Sequence, residues 1–114
     1  MSKKFFILVL IFLLSFLTKS NAQKVYVVDY KSDADVKVYI TDYKSDADLC
    51  VYKVDYKSDA DGNNGLWYFV DYKSDADKTI YFVDYKSDAD LVIYFVDYKS
   101  DAGWQNTSKK YLME

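Results

Sequence analysis

Val25-Tyr26-Val27-Val28-Asp29-Tyr30-Lys31-Ser32-Asp33-Ala34-Asp35-Val36-Lys37 is one unit of the repeat that decides the fold. Its hexapeptide Asp-Tyr-Lys-Ser-Asp-Ala begins at Asp29, Asp42, Asp55, Asp71, Asp84 and Asp97, at intervals of 13, 13, 16, 13 and 13 residues. The first half of each unit is β-branched and aromatic: Val38-Tyr39-Ile40, Trp67-Tyr68-Phe69-Val70, Ile80-Tyr81-Phe82-Val83 and Ile93-Tyr94-Phe95-Val96. Such residues suit a pleated, half-buried surface. Apolar runs of this length between Asp-rich segments are strand-sized, and no helical period continues through them. The expectation is an all-β chain of six short strands.

The second half of the unit turns the chain. Ser32-Asp33-Ala34-Asp35 has the Ser-x-x-acid form of a capping box, which predicts a single helical turn or tight bend with its backbone N–H groups capped by these side chains. Tyr26, Tyr39, Tyr52, Tyr68, Tyr81 and Tyr94 hold one fixed place in the unit, as a repeated core layer requires. Lys53 breaks an otherwise apolar place, occupied elsewhere by Val27, Ile40, Phe69, Phe82 and Phe95; local exposure beside the central link accounts for it.

That central link is the exception in the series. Gly62-Asn63-Asn64-Gly65-Leu66 lengthens one interval by three residues and supplies residues that allow positive φ. A solenoid needs no such midpoint. A chain that completes one lap of three units and then lays a second lap between them does need one, so two interleaved laps are expected.

The Tyr-Lys-Ser-Asp-Ala unit at this spacing resembles the septoil (seven-crossing) knot family. So does the ending Ala102-Gly103-Trp104-Gln105-Asn106, then Ser108-Lys109-Lys110-Tyr111-Leu112-Met113. The resemblance spans Lys24 to Met113. It implies a compact all-β domain whose backbone winds through itself as a deep, torus-type knot, and it assigns no catalytic or binding residue.

The first 22 residues read as a signal peptide. Ser2-Lys3-Lys4 is basic, Phe5 to Leu17 is apolar apart from Ser15, and Ser20-Asn21-Ala22 offers a small-residue cleavage site. The apolar run falls short of the roughly 20 residues that span a bilayer, so no stable membrane insertion is expected after cleavage. Residues 23–114 then form a single exported domain, periplasmic or secreted. Without Lys3, Lys4 and Lys19, 12 Lys face 18 acids, a charge of −6 that argues against nucleic acid as a partner. All basic residues are Lys, so bidentate Arg clamps are absent. Cys50 stands alone, and reads as a small apolar residue with intermolecular pairing as the alternative.

Catalytic chemistry finds little support. There is no His, and Glu occurs only as Glu114. Lys31-Ser32 and its copies juxtapose amine and hydroxyl, but adjacent residues point apart. The pair Asp33 and Asp35 reads better as turn chemistry than as a glycosidase dyad, because all copies share it. The metal candidates are Asp59, Asp61 and Asn63, oxygen ligands at alternate positions. A calcium loop counted from Asp59 wants Gly sixth and Glu twelfth, where Asn64 and Val70 stand. Asn106-Thr107-Ser108 fits a glycosylation sequon. The chain therefore reads as a non-catalytic, cofactor-free, kinetically stable module with a structural role or an unknown protein or glycan partner. A calcium- or carbohydrate-binding module is the alternative, and oligomeric state stays open.

Overall fold

The computed structural model describes residues 23–114; the expected signal peptide over 1–22 lies outside the described residues. Each apolar run is a strand: β1 (Gln23–Val27), β2 (Val36–Ile40), β3 (Leu49–Lys53), β4 (Leu66–Phe69), β5 (Lys78–Phe82) and β6 (Leu91–Phe95), with a short β7 (Gly103–Trp104). Each Lys-Ser-Asp forms one turn of 3-10 helix, from Lys31–Asp33 through Lys99–Asp101, and a last 3-10 segment covers Thr107–Met113.

The strand order is β4-β1-β5-β2-β6-β3, and β3 pairs again with β4, so six strands close into a barrel. All six interfaces are parallel, while β7 adds antiparallel to β3. Strands of the second lap alternate with those of the first, as the spacing predicts. The central exception has a geometric meaning. Each 13-residue step carries the chain two places round a six-place ring, so three such steps would return β4 to the place of β1. The 16-residue interval advances one place only, from β3 to its neighbour β4, and drops the second lap into the gaps of the first.

Parallel neighbours need crossovers, and here these run over the outside of the barrel. The turns after β1 and β2 lie against β5 and β6, whereas those after β4, β5 and β6 lie against β1, β2 and β3. Each lap therefore covers strands of the other and is covered by it. The chain climbs inside and descends outside at every repeat, a threading that chains ordinarily avoid.

Register is displaced equally at every interface. Phe69 faces Val25, Val27 faces Ile80, Phe82 faces Val38, Ile40 faces Ile93, Phe95 faces Val51 and Lys53 faces Trp67. Each residue thus meets a partner one pleat earlier in the partner's own unit, and equivalent positions form layers across the barrel. The middle layer is Val25, Val38, Val51, Trp67, Ile80 and Ile93, each 0% exposed, so the barrel is filled rather than a pore. Gln23, Val36, Leu49 and Leu91 lie below it, with buried Met113 packed against this core.

Two expectations need correction. Tyr26, Tyr39, Tyr52, Tyr68, Tyr81 and Tyr94 are half-buried and lie outside the core, because strand alternation turns them away from the layered face. Nor do Ser and Asp cap their own turns. The N-cap of each corner is its Tyr (Tyr30 in the first), which makes no side-chain cap bond. The second Asp of the motif has a longer-range task.

Candidate functional site

In four corners that second Asp fastens one lap to the other. Asp35 donates its N–H to the Thr79 carbonyl at 3.0 Å, and its Oδ2 accepts the Thr79 N–H at 3.0 Å. The same reciprocal pair joins Asp48 to Val92, Asp77 to Lys24 and Asp90 to Lys37. Asp35 and Asp48 precede first-lap strands and clasp second-lap strands; Asp77 and Asp90 do the converse. The carboxylate satisfies an N–H where a neighbouring strand begins, so the bond is charge-assisted. The capping pattern in the sequence located a carboxylate that takes a backbone N–H. It placed that N–H in the same turn, because the partner strand lies 44 or 53 residues away.

The C-terminal segment seals the base. Gln23 Nε2 donates to the Met113 carbonyl at 3.0 Å, and Asn63 Nδ2 to that of Lys110 at 3.2 Å. Trp104 Nε1 donates to the Asn63 carbonyl, and Gln105 Nε2 to those of Lys44 and Ala47. Asn106, the sequon residue, caps the last 3-10 segment through Oδ1 and donates Nδ2 to Asp48 Oδ1. The three calcium candidates are not gathered: Asn63 is buried with its amide turned to Lys110, while Asp59 and Asp61 are exposed on the turn. Among the described residues, no three acidic, Cys or His side chains converge as a metal site.

The mouth of the barrel carries the clearest departure from sixfold regularity. Its layer alternates Phe69, Val27, Phe82, Ile40, Phe95 and Lys53, aromatic from the second lap and smaller aliphatic from the first. Lys53 takes the remaining place and lies 4.7 Å from the Phe95 ring centroid and 5.7 Å from that of Phe69. The flanking rings hold the cation by their quadrupoles while water reaches it. A cleft of about 370 Å³ opens there, lined by Tyr52, Lys53, Phe95, Val96 and Asp97. It presents opposite charges beside aromatic rings; the adjacent Lys31 and Ser32 lie exposed together on one corner, and their copies on the other five.

Cys50 is 2% exposed, on the strand to which β7 adds, and burial pushes its thiol up from the ordinary value. That placement matches the reading as a small apolar residue. Beside it, Gly65 lies so close to β3 that an added Cβ would sit 2.3 Å from the Cys50 carbonyl oxygen.

The family model described as "7(1) septoil knot domain" matches residues 22–105 of the chain. No curated protein and no solved structure matches it.

Proposed function

The chain belongs to the septoil knot family, and from that premise we propose that it is an exported, non-catalytic module that acts through its surface and persists because it unfolds slowly. The observation that carries this reading is reciprocal covering: second-lap strands lie beneath first-lap corners and first-lap strands beneath second-lap corners, with Asp35, Asp48, Asp77 and Asp90 clasping across. Strands cannot peel away singly. Global unfolding must break the clasps and withdraw a terminus through the other lap, so the barrier is raised more than the equilibrium stability. Refolding is correspondingly late, since non-local parallel pairing and threading must precede the final contacts.

The test compares the intact chain with one cut between Asn63 and Asn64, which leaves the strands and clasps in place while freeing the laps to separate. Unfolding of the intact chain in water, followed by hydrogen exchange, is expected at or below about 10⁻⁶ s⁻¹, the slow end for small domains. The cut form is expected to unfold at least tenfold faster. Equal rates, or complete refolding of the intact chain within a millisecond, would sink the proposal. Export is tested separately by mass spectrometry of the chain made in a secreting host, where a mature start at Gln23 is expected and a retained Met1 overturns it.

A further inference from the structure

Within this chain the middle core layer differs between repeats, while the exposed corner pentapeptide does not. The middle core layer holds Val, Trp and Ile, each fully buried. The five exposed corner residues Asp-Tyr-Lys-Ser-Asp are identical in all six copies. Copies drifting from a common ancestor would vary first at exposed places, where most substitutions change stability by less than about 0.5 kcal/mol. At the six corners the exposed residues have not varied at all.

Folding does not account for these identities. Tyr30, Tyr43, Tyr56, Tyr72, Tyr85 and Tyr98 are 69–70% exposed. Their backbone is ordinary extended chain, φ between −120° and −126°, which any β-former adopts. The clasps use the second Asp after Ala, outside this pentapeptide. Among the described residues, no side chain of the six pentapeptides makes a hydrogen bond or an ion pair. Something outside the fold holds the residue types.

We propose that the six corners are equivalent contact sites for a neutral polysaccharide. This rests on the surface-acting reading above. Each corner offers a solvent-facing phenol, whose flat apolar face fits the C–H face of a sugar ring and whose hydroxyl bonds at the edge. Beside it lie two carboxylates that accept from vicinal hydroxyls, with an ammonium and a hydroxyl that donate. The net charge of residues 23–114 is −6 and each corner carries two Asp to one Lys, so polyanions are repelled. The clefts at two corners are small, about 200 Å³ beside Tyr98 and about 180 Å³ beside Tyr72, and give a protein partner little to bury. A polymer of repeating sugars meets repeated corners, and six weak contacts on one rigid ring add as avidity, about 10²–10⁴-fold over a single site.

The experiment is electrophoresis of the intact protein through gels containing a β-1,4-glucan, a β-1,3-glucan, a mannan or a xylan, with heparin as the polyanion comparator. Retardation by at least one neutral polymer is expected, and none by heparin. Tyr→Ala at all six positions is expected to abolish retardation with far-ultraviolet circular dichroism and unfolding rate unchanged. Changing only Tyr72, Tyr85 and Tyr98 should weaken it at least tenfold, which keeps the test usable if the sixfold variant is poorly folded. Wild-type mobility unaltered in every neutral gel, retardation by heparin alone, or retention undiminished in the folded variants overturns the proposal. Slow unfolding without retardation removes this proposal and leaves the structural one standing; fast unfolding removes the structural one whatever the gels show.

Discussion

Replacing Gly65 by Ala separates two costs that glycine removal usually confounds. Gly65 has φ +87° and Gly62 has φ +73°, so both sit in the left-handed region and both Ala variants carry about 1–2 kcal/mol of backbone strain. Their surroundings differ. At Gly62 the nearest atom to a new Cβ is Asn64 Nδ2 at 3.1 Å, the end of a flexible side chain. At Gly65 it is the Cys50 carbonyl oxygen at 2.3 Å, with Gly103 N at 3.2 Å and Leu49 Cδ1 at 3.3 Å. Ordinary contact needs roughly 3.5 Å, so the link and β3 must part by about 1 Å. That movement strains the Tyr52 N–H to Gly65 carbonyl bond of 2.8 Å, worth about 1 kcal/mol net, and overpacks the site by about 1–3 kcal/mol. The expected cost is about 3–6 kcal/mol for Gly65→Ala against about 1–2 for Gly62→Ala. Urea curves followed by circular dichroism, approached from both the folded and unfolded sides because threading slows equilibration, measure the difference directly. Costs equal within about 0.5 kcal/mol would refute the claim that close approach, beyond positive φ, demands glycine at the lap change.

Asp90→Ala removes the acceptor for the Lys37 N–H and should cost about 1–2 kcal/mol, expressed mainly as faster unfolding; Asp88→Ala in the same corner should change stability by less than about 0.5. The Lys37–Asp90 ion pair, 3.8 Å long and over a third exposed, adds little to that figure, so salt should barely alter it. Lys53→Leu exchanges an exposed cation–π contact of about 0.5–1 kcal/mol for aliphatic packing and should leave the melting temperature within a few degrees; a large loss would make Lys53 a structural residue. The raised Cys50 thiol has a defined pH signature. The folded state keeps the proton that the unfolded thiol loses near 9.0, so the stabilising contribution is complete below that pH and is lost as pH rises through the folded value. Stability should fall faster above pH 9 in the wild type than in Cys50→Ala, and a thiol reagent should label Cys50 only at the unfolding rate.

The strands, the corners and the lap change were legible because each is local chemistry: β-branched runs, a Ser-Asp turn, and a Gly-Asn link at one interval of 16. The palindromic spacing even led to interleaving. The roles of Tyr26 and its equivalents were misread, since a strand apolar on both sides does not announce which side is the barrel interior. The clasps of Asp35, Asp48, Asp77 and Asp90 were hidden because their partners belong to the other lap.

Repetition and spacing thus determined, from the amino-acid sequence alone, an all-β chain in two laps of three, and the family resemblance added threading. Tertiary structure decided what no single unit encodes: that all six interfaces are parallel, that each corner covers a strand of the opposite lap, and which identical-looking Asp reaches across. The physical reason is that a strand's inner face, its hydrogen-bond partner and its cover come from three different repeats. Those assignments exist only once the ring is closed.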